Sequence, residues 1–229
     1  MTFEAGADCV ILLHGLARTD ASMEKMEAAL REDGFDVVNV SYPSREKTIA
    51  ALADQAIRPA LKQCPAQASV HFVTHSLGGI LVRQYLSTES IPNLKRVVML
   101  GPPNQGSEVV DKLADVPGFK LLNGPAGLQL GTGQSSVPNQ LGEANFDVGI
   151  IAGNRSVNLI LSTLIPGDDD GKVAIERTKL AGMHDHLVLP VTHTFMMRNP
   201  EVIEQVRHYL RKGHFQTLSP KRIDDKSAS

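Results

Sequence analysis

The stretch FVTHSLGGI, at positions 72–80, holds residue types whose spacing could support nucleophilic chemistry. An apolar run, SVHFVT at 69–74, is followed at once by Ser76 and then by two glycines. A serine on a sharp turn between a strand and a helix is exposed at its tip, and the turn needs small residues where the helix backs onto the strand. Gly78 meets that need, whereas Thr74 stands where the usual pattern has a first glycine. The alternative is that Ser76 is an ordinary helix N-cap, a position that serine favours.

A second motif, LLHGL at 12–16, ends the first strong apolar run of the chain. A His-Gly pair at this place resembles the oxyanion loop of lipases and esterases, where two backbone amides stabilise a developing negative charge. The predicted donors are the amides of Leu16 and Leu77, with the Gly15 amide as the alternative to Leu16. His14 is expected to shape this loop, or else to be a partly buried histidine that ends a strand.

A turn with three acids, PGDDDGKV at 166–173, follows the late apolar run DVGIIA at 147–152. An acid that orients a catalytic histidine should lie on a loop after a late strand. Asp170, directly before a glycine, is the predicted acid, and Asp168 and Asp169 are its rivals. A calcium site made from all three, or a plain solvated turn, are the other interpretations.

The segment LPVTHTFMM, at 189–197, supplies the candidate base, His193. The nucleophile, the acid and the base then follow one another in the order that α/β-hydrolases use. His184 and His186 compete for the same role, but they lie before and at the start of the last predicted strand, which is the wrong end of a parallel sheet for this site. A zinc site formed by these two with Asp185 is a weaker alternative.

The elements that must position these residues are apolar, β-branched runs alternating with amphipathic stretches, a pattern that predicts a doubly wound parallel α/β sheet. The candidate strands are CVILL (9–13), FDVVNV (35–40), SVHFVT (69–74), RVVML (96–100), DVGIIA (147–152) and a weaker pair, KVAI (172–175) and HLVLPV (186–191). The candidate helices cover 20–33, 45–63, 77–89 and 199–212. Asp20 and Asn199 are expected N-caps, and Pro59 is expected to bend or divide the second helix.

The pattern predicts a single domain over residues 1–212. Residues 101–146 are rich in Gly, Pro, Ser and Asn with scattered leucines, and so long a connection usually carries function as a lid or cap. Residues 213–229 lack apolar periodicity and are expected to form a mobile tail.

Composition excludes several classes of protein. The chain has 229 residues, 42% of them hydrophobic, and a net charge of −2, which gives no reason to expect nucleic acid or an anionic membrane as a partner. No apolar run is long enough to span a bilayer. The first residues lack the features of a secretion signal, so we expect a cytoplasmic protein unless a signal has been removed.

Cys9 and Cys64 have no metal-ligand spacing, and free thiols are the expected state.

Taken together, these motifs resemble those of bacterial lipases and esterases of the α/β-hydrolase superfamily, in particular the compact lipase-like branch with a Ser-Asp-His triad. The segments that carry the resemblance are HGL (14–16), THSLGG (74–79), LGPPNQGS (100–107), DDGKV (169–173) and THTFMM (192–197). It implies a minimal, mainly parallel six-stranded sheet without the two antiparallel N-terminal strands of the full fold. It also implies that the strand before HGL neighbours the nucleophile strand, which would bring Cys9 and Cys64 near each other and leaves a disulfide as a minor alternative.

The resemblance implies a serine hydrolase that cleaves short- to medium-chain acyl esters of a small-molecule substrate, without a metal or cofactor. Thioesterase, amidase or acyltransferase activity on the same residues is the alternative, and a non-catalytic binding protein is a more distant one. The expected substrate contacts are His14, Gly15, His75 and Met196. Further pocket walls, or else core residues of the cap, are Val109, Leu113, Val116, Phe119, Leu121, Leu122, Leu128 and Leu130.

Overall fold

Six parallel strands form one sheet in the computed structural model, which describes residues 7–156, 165 and 167–217, without the side chains of Lys120 and Leu122. The strands are β1 (Cys9–Leu13), β2 (Asp36–Val40), β3 (Val70–His75), β4 (Leu94–Leu100), β5 (Val148–Gly153) and β6 (Asp185–Leu189). Their order across the sheet is β2-β1-β3-β4-β5-β6, and every pair of neighbours is parallel. The predicted α/β fold with a six-stranded parallel sheet is confirmed.

The helices described are α1 (Glu24–Glu32), α2 (Ile49–Leu61), α3 (Leu77–Leu86), α4 (Glu108–Leu113), α5 (Phe119–Leu128), α6 (Val137–Gln140), α7 (Ile175–Thr178) and α8 (Pro200–Lys212). Short 3₁₀ turns occupy Asp20–Met23 and Met196–Arg198. Across the part of the chain that the structure covers, none of these helices combines the length and apolar character needed to cross a membrane.

The core lies on both faces of the sheet because successive side chains of a strand point to opposite faces. In β1, Ile11 and Leu13 join the cluster that includes α2 and α3, while Val10 and Leu12 join the cluster that includes α1 and α8. A strand covered on both sides favours apolar residues on both faces, which explains the continuous apolar run of β1. β3 is also fully buried, but it includes the polar residues His71, Thr74 and His75.

The helix ends follow the predicted signals at one terminus and not at another. The Asn199 side chain accepts hydrogen bonds from the amides of Glu201 and Val202, so it caps α8 as predicted. Asp20 is not an N-cap, because it is the first residue of the 3₁₀ turn that precedes α1. Pro59 lies inside α2 without dividing it.

The predicted strand KVAI, at 172–175, is wrong. The segment makes one isolated bridge, between Asp169 and Ala174, before α7 begins. Its first amides are held by a side chain instead of a neighbouring strand, since Lys172 and Val173 both donate their backbone N–H to the Asp170 carboxylate.

The chain around residue 213 also differs from the prediction. Gly213 ends α8 with φ 82°, and the chain then turns back onto the domain. Phe215 is 7% exposed and donates its amide to Asp185, and Gln216 donates its amide to Gln205. Gly213 and Phe215 are thus buried within the segment predicted to be a mobile tail, while 218–229 lie outside the described residues.

The expected free thiols are a further error, because Cys9 and Cys64 form a disulfide with their Cα atoms 5.7 Å apart. β1 and β3 are neighbours with Cys9 opposite Val70, and the chain between α2 and β3 passes this edge of the sheet. The two cysteines, 55 residues apart in sequence, are thus brought together by the strand order.

Candidate active site

The turn at Ser76 is a strained link between β3 and α3. Ser76 has φ 51° and ψ −116°, and among the described residues Ala17 is the one other non-glycine with positive φ. Such a conformation costs an L-residue roughly 1–3 kcal/mol and persists where the surrounding structure holds it in place. Here the Ser76 amide donates to the carbonyl of Leu100 at 2.9 Å, which ties the turn to the end of β4.

Gly78 is required by the close approach of α3 to β1. A Cβ at this position would lie 2.6 Å from the carbonyl oxygen of Leu13 and 2.9 Å from its Cβ, so no larger residue fits without movement. Thr74, the departure from the usual pattern, is a buried residue of β3 and pairs with Leu13 and Met99 in the sheet. It is accommodated as an ordinary strand residue before the turn.

His193 and Asp170 form a buried pair. The His193 Nδ1 lies 2.7 Å from the Asp170 Oδ2, and the side chains are 4% and 0% exposed. The other carboxylate oxygen, Oδ1, accepts the amides of Lys172 at 3.0 Å and Val173 at 2.9 Å. The His193 amide also donates to the Asp170 carbonyl at 2.9 Å, so the two loops are joined by backbone as well as side chain.

Gly101 is a site residue that the sequence reasoning did not identify. With φ +54°, it lies directly behind the acid–histidine pair, where a Cβ would come within 3.0 Å of the Asp170 Oδ2, the His193 Nδ1 and the Met196 Sδ. The signal was present in the sequence as the glycine of LGPPNQGS that follows β4.

The rival acids and histidines lie elsewhere. Asp168 is exposed, and Asp169 accepts the amide of Gly171 at 2.6 Å within its own turn. His186 lies at the start of β6, with its Nε2 2.9 Å from the Thr178 hydroxyl. Over the residues that the structure describes, no three His, Cys, Asp or Glu side chains are grouped so that they could hold a metal ion.

The loop after β1 lies against the serine. A Cβ on Gly15 would meet the His75 ring at 2.7 Å and the Ser76 Cβ at 3.3 Å. Leu16 lines the same cavity as Ser76, and Leu77 is the first residue of α3. Leu16, one of the two predicted donors, thus shares a cavity with the serine, and Leu77, the other, follows the serine directly at the positive end of a helix.

His14 supports this loop from beneath. It is fully buried and stacks on Tyr42, with ring centroids 4.0 Å apart. Its Nδ1 lies 2.8 Å from the Gly15 carbonyl oxygen, and the Tyr42 hydroxyl donates to the His14 carbonyl. Burial lowers the pKa of His14, which keeps the ring neutral. Because it does not line the cavity, His14 fits the role of loop support better than the predicted substrate contact.

His75 lies between the loop and the catalytic candidates. Its Nε2 donates to the His193 carbonyl at 3.0 Å, and the two rings are 4.8 Å apart. Burial is the first cause that sets the pKa of His75 well below its usual value, and the positive charge of a protonated His193 adds to it. A neutral His75 that donates through Nε2 holds the backbone of the histidine loop.

A cavity of about 360 Å³ opens above Ser76 and His193. We call it the serine cavity. Four of the predicted wall residues line it, namely Val109, Leu113, Phe119 and Leu130, together with Val110 and Val173, which were not predicted.

Other predicted wall residues lie away from the serine cavity. Val116, Leu121 and Leu128 are 47%, 85% and 37% exposed. The side chain of Leu122 lies outside the described residues. Met196 is fully buried in the core beneath Gly101, so the predicted substrate contact does not fit its position.

Comparison with known families agrees with this architecture. The family model of palmitoyl protein thioesterases matches residues 9–145, more than half of the chain. The chain belongs to this family. The match runs from β1 through the candidate nucleophile and most of the cap, and it identifies the chain as a hydrolase. No curated protein matches the sequence.

Solved structures with the same fold include several lipases and esterases. The mature lipase BlEst2 of Bacillus licheniformis has a TM-score of 0.66 at 18% identity, with 92% of this chain and 93% of that one covered. A thermophilic esterase from Thermogutta terrifontis has a TM-score of 0.60 at 15% identity, with 92% of each chain covered. A Listeria innocua gene product has a TM-score of 0.60 at 19% identity over 92% and 96%. At such identities the likeness concerns the α/β-hydrolase fold alone.

Proposed function

We propose that this protein is a serine hydrolase that cleaves short- to medium-chain acyl esters through an acyl-enzyme on Ser76. The observation that carries the proposal is the backbone of Ser76, held at φ 51° and ψ −116° on the turn between β3 and α3. An ordinary N-cap serine has an extended backbone and accepts a hydrogen bond from its own helix. Ser76 has neither feature, so the strain supports a nucleophile.

The chemistry begins with proton transfer. The Asp170 carboxylate holds Nδ1 of His193, so Nε2 is the nitrogen that takes the proton from the Ser76 hydroxyl. The serine oxygen then attacks the ester carbonyl, and the amides of Leu77 and of Leu16 or Gly15 stabilise the resulting oxyanion. Each such donor contributes about 3 kcal/mol to the transition state in comparable enzymes.

The second half returns the enzyme to its first state. His193 donates its proton to the leaving alcohol oxygen as the carbon–oxygen bond breaks, which leaves an acyl group on Ser76. Water attacks the acyl carbonyl while His193 accepts its proton, and the carboxylic acid departs as the serine recovers its hydrogen.

The serine cavity supports an acyl chain of limited length. Its volume of about 360 Å³ lies near the lower end of small-molecule sites, which span roughly 300–1,000 Å³. Leu113, Phe119 and Leu130 give it an apolar wall suited to hydrocarbon.

A second candidate is the hydrolysis of thioesters, which membership of the palmitoyl protein thioesterase family favours. The same steps apply, with a thiol leaving in place of the alcohol.

The disulfide between Cys9 and Cys64 bears on the cellular compartment, because disulfides persist in oxidising surroundings. It favours an exported protein over the expected cytoplasmic one.

The test compares p-nitrophenyl esters of increasing acyl length in the wild type and in Ser76→Ala. We expect a maximum at short to medium chains and a loss of at least ~10⁴-fold in kcat for Ser76→Ala. Ser90→Ala, an exposed serine at the other edge of the sheet, is the matched control. Acyl N-acetylcysteamine thioesters of the same chain lengths distinguish the second candidate. Full activity in a folded Ser76→Ala protein would refute the proposal.

A further inference from the structure

Among the residues that the structure describes, three basic residues and no acidic residue line the serine cavity. Arg18, Arg45 and Lys172 are all part of its wall. None of the three side chains has a salt bridge to a carboxylate within residues 7–156, 165 and 167–217. By contrast, six of the nine other arginines that the structure describes form salt bridges, as Arg207 does with Asp33. Within the described part of the chain, the cavity therefore presents positive charge that no salt bridge neutralises.

A second cavity of about 640 Å³ adjoins the serine cavity, and we call it the outer cleft. The two share Ala17, Arg18 and Arg45. Among the described residues, the rest of its wall is mixed. Thr19, Ser44 and Glu46 are polar, whereas Tyr42, Pro43 and Leu121 add apolar surface. A substrate that extends from Ser76 into the outer cleft must therefore pass both arginines.

The positive charges of Arg18 and Lys172 lie close enough to affect each other and the His75 ring. Burial lowers the pKa of the Lys172 ammonium, and the nearby positive charge of Arg18 lowers it further. The negative charge of Asp170 acts in the opposite direction and raises it. The charges of Lys172 and Arg18 also reach His75, beneath the nucleophile. Mutual repulsion of this kind is relieved when an anion binds between the cations.

The types of residue that line the two cavities indicate which part of the substrate each cavity would hold. The serine cavity is lined mainly by apolar side chains, with Ser107 and Asn123 among the polar ones, and such a wall suits an acyl chain. The leaving portion of the substrate would lie toward the outer cleft, next to Arg18 and Arg45. Guanidinium groups match the oxygens of phosphate with two parallel hydrogen bonds, and an ammonium adds a point charge.

We propose that the substrate carries a phosphate group on its alcohol or thiol portion, bound by Arg18, Arg45 and Lys172 while its acyl carbonyl lies at Ser76. This inference rests on the proposed hydrolysis at Ser76. Two kinds of compound offer the required chemistry, namely acyl esters of glycerol phosphate, as in lysophospholipids, and acyl thioesters of coenzyme A.

The experiment uses two matched pairs of substrates with one acyl chain. The ester pair is 1-decanoylglycerol 3-phosphate and 1-decanoylglycerol, and the thioester pair is decanoyl coenzyme A and decanoyl N-acetylcysteamine. The measured quantity is the ratio of kcat/KM for the phosphate-bearing compound to that for its neutral partner. We expect a ratio of at least about 10 in one pair, since charge-assisted hydrogen bonds are the strong ones. The pair that shows it identifies the source of the phosphate.

The role of the cations is tested by Arg18→Gln, Arg45→Gln and Lys172→Gln, singly and together. We expect the ratio to fall toward one in the triple variant and to fall in the wild type as salt is raised, because ions screen exposed charges. Lys25→Gln, an exposed lysine on α1, is the control for loss of one charge and should keep the wild-type ratio.

The outcomes separate this inference from the proposed function. A ratio near one in both pairs, with neutral substrates hydrolysed and Ser76→Ala inactive, overturns the phosphate site and leaves the hydrolase standing. A high ratio that survives in the triple variant also overturns it. Failure of the wild type on all four compounds and on p-nitrophenyl esters rejects both proposals.

Discussion

At the scale of single residues, the environment of Asp170 accounts for its selection from three consecutive acids. Its carboxylate is 0% exposed, and each of its oxygens accepts from a fixed donor, two backbone amides on one side and His193 on the other. Asp168 is exposed, and Asp169 stabilises its own turn by accepting the amide of Gly171. A histidine held this firmly has one tautomer and one orientation.

Replacing Asp170 with asparagine should lower kcat by about 10⁴-fold, because an amide at this place allows the wrong tautomer of His193. KM should change far less, since the carboxylate does not line the serine cavity. Steady-state ester hydrolysis measures both quantities. Asp168→Asn, one charge removed two residues away, should behave as wild type. If Asp168→Asn were the inactive variant, the acid would be misassigned.

At the scale of elements, Arg83 fixes the cap to the helix that follows the serine. It is a buried residue of α3, and its guanidinium donates to the carbonyls of Asn104, Pro138 and Gly142, at opposite ends of the cap. Burial lowers its pKa to about 10, so it is still charged at neutral pH. One side chain thus holds in place the segment that forms the apolar wall of the serine cavity.

The variant Arg83→Met should lower the free energy of unfolding by about 1–3 kcal/mol, because it leaves buried carbonyls without donors. The cap should also become more susceptible to limited proteolysis. Urea unfolding followed by circular dichroism gives the first quantity, and peptide mapping locates the cleavage. Arg58→Met, on α2, removes an exposed arginine that pairs with Asp54 and Glu89, and should change stability little. Equal effects of the two substitutions would contradict the assigned role of Arg83.

At the scale of the whole molecule, the disulfide joins the start of β1 to the chain that leads into β3. A link between residues 55 apart restricts the unfolded chain, which in the chain-entropy model stabilises the fold by about 4 kcal/mol. It lies near the amino ends of the strands, away from the carboxyl edge that carries Ser76.

Reduction of the disulfide should therefore lower stability by up to about 4 kcal/mol while native protein at low temperature keeps its ester activity. Urea midpoints with and without reductant measure the effect. In the Cys9→Ala/Cys64→Ala double variant, reductant should have no effect on the midpoint. Two titratable thiols in wild-type protein denatured without reductant would show that the bond is absent.

Local patterns predicted most of the fold. Five of the strong runs, from CVILL to DVGIIA, became strands with ends within two residues of the prediction, because strands buried in a parallel sheet are rich in apolar and β-branched residues. The candidates Ser76, Asp170 and His193 also came from local signals. Ser76 directly follows β3 and His193 closely follows β6, whereas Asp170 belongs to an acidic turn in the longer connection after β5. Parallel strands bring such loops to one edge, so their proximity followed from the class of fold.

Tertiary structure decided what depends on distant partners. Whether Phe119 or Leu121 faces the serine cavity depends on the path of the cap, and Met196 is in the core because Gly101 leaves room above it. KVAI is a loop because the Asp170 carboxylate takes its amides. The disulfide likewise joins two cysteines far apart in sequence, and the three cations near Ser76 come from separate segments of the chain. These features arise from packing between distant segments, which a pattern of neighbouring residues does not contain.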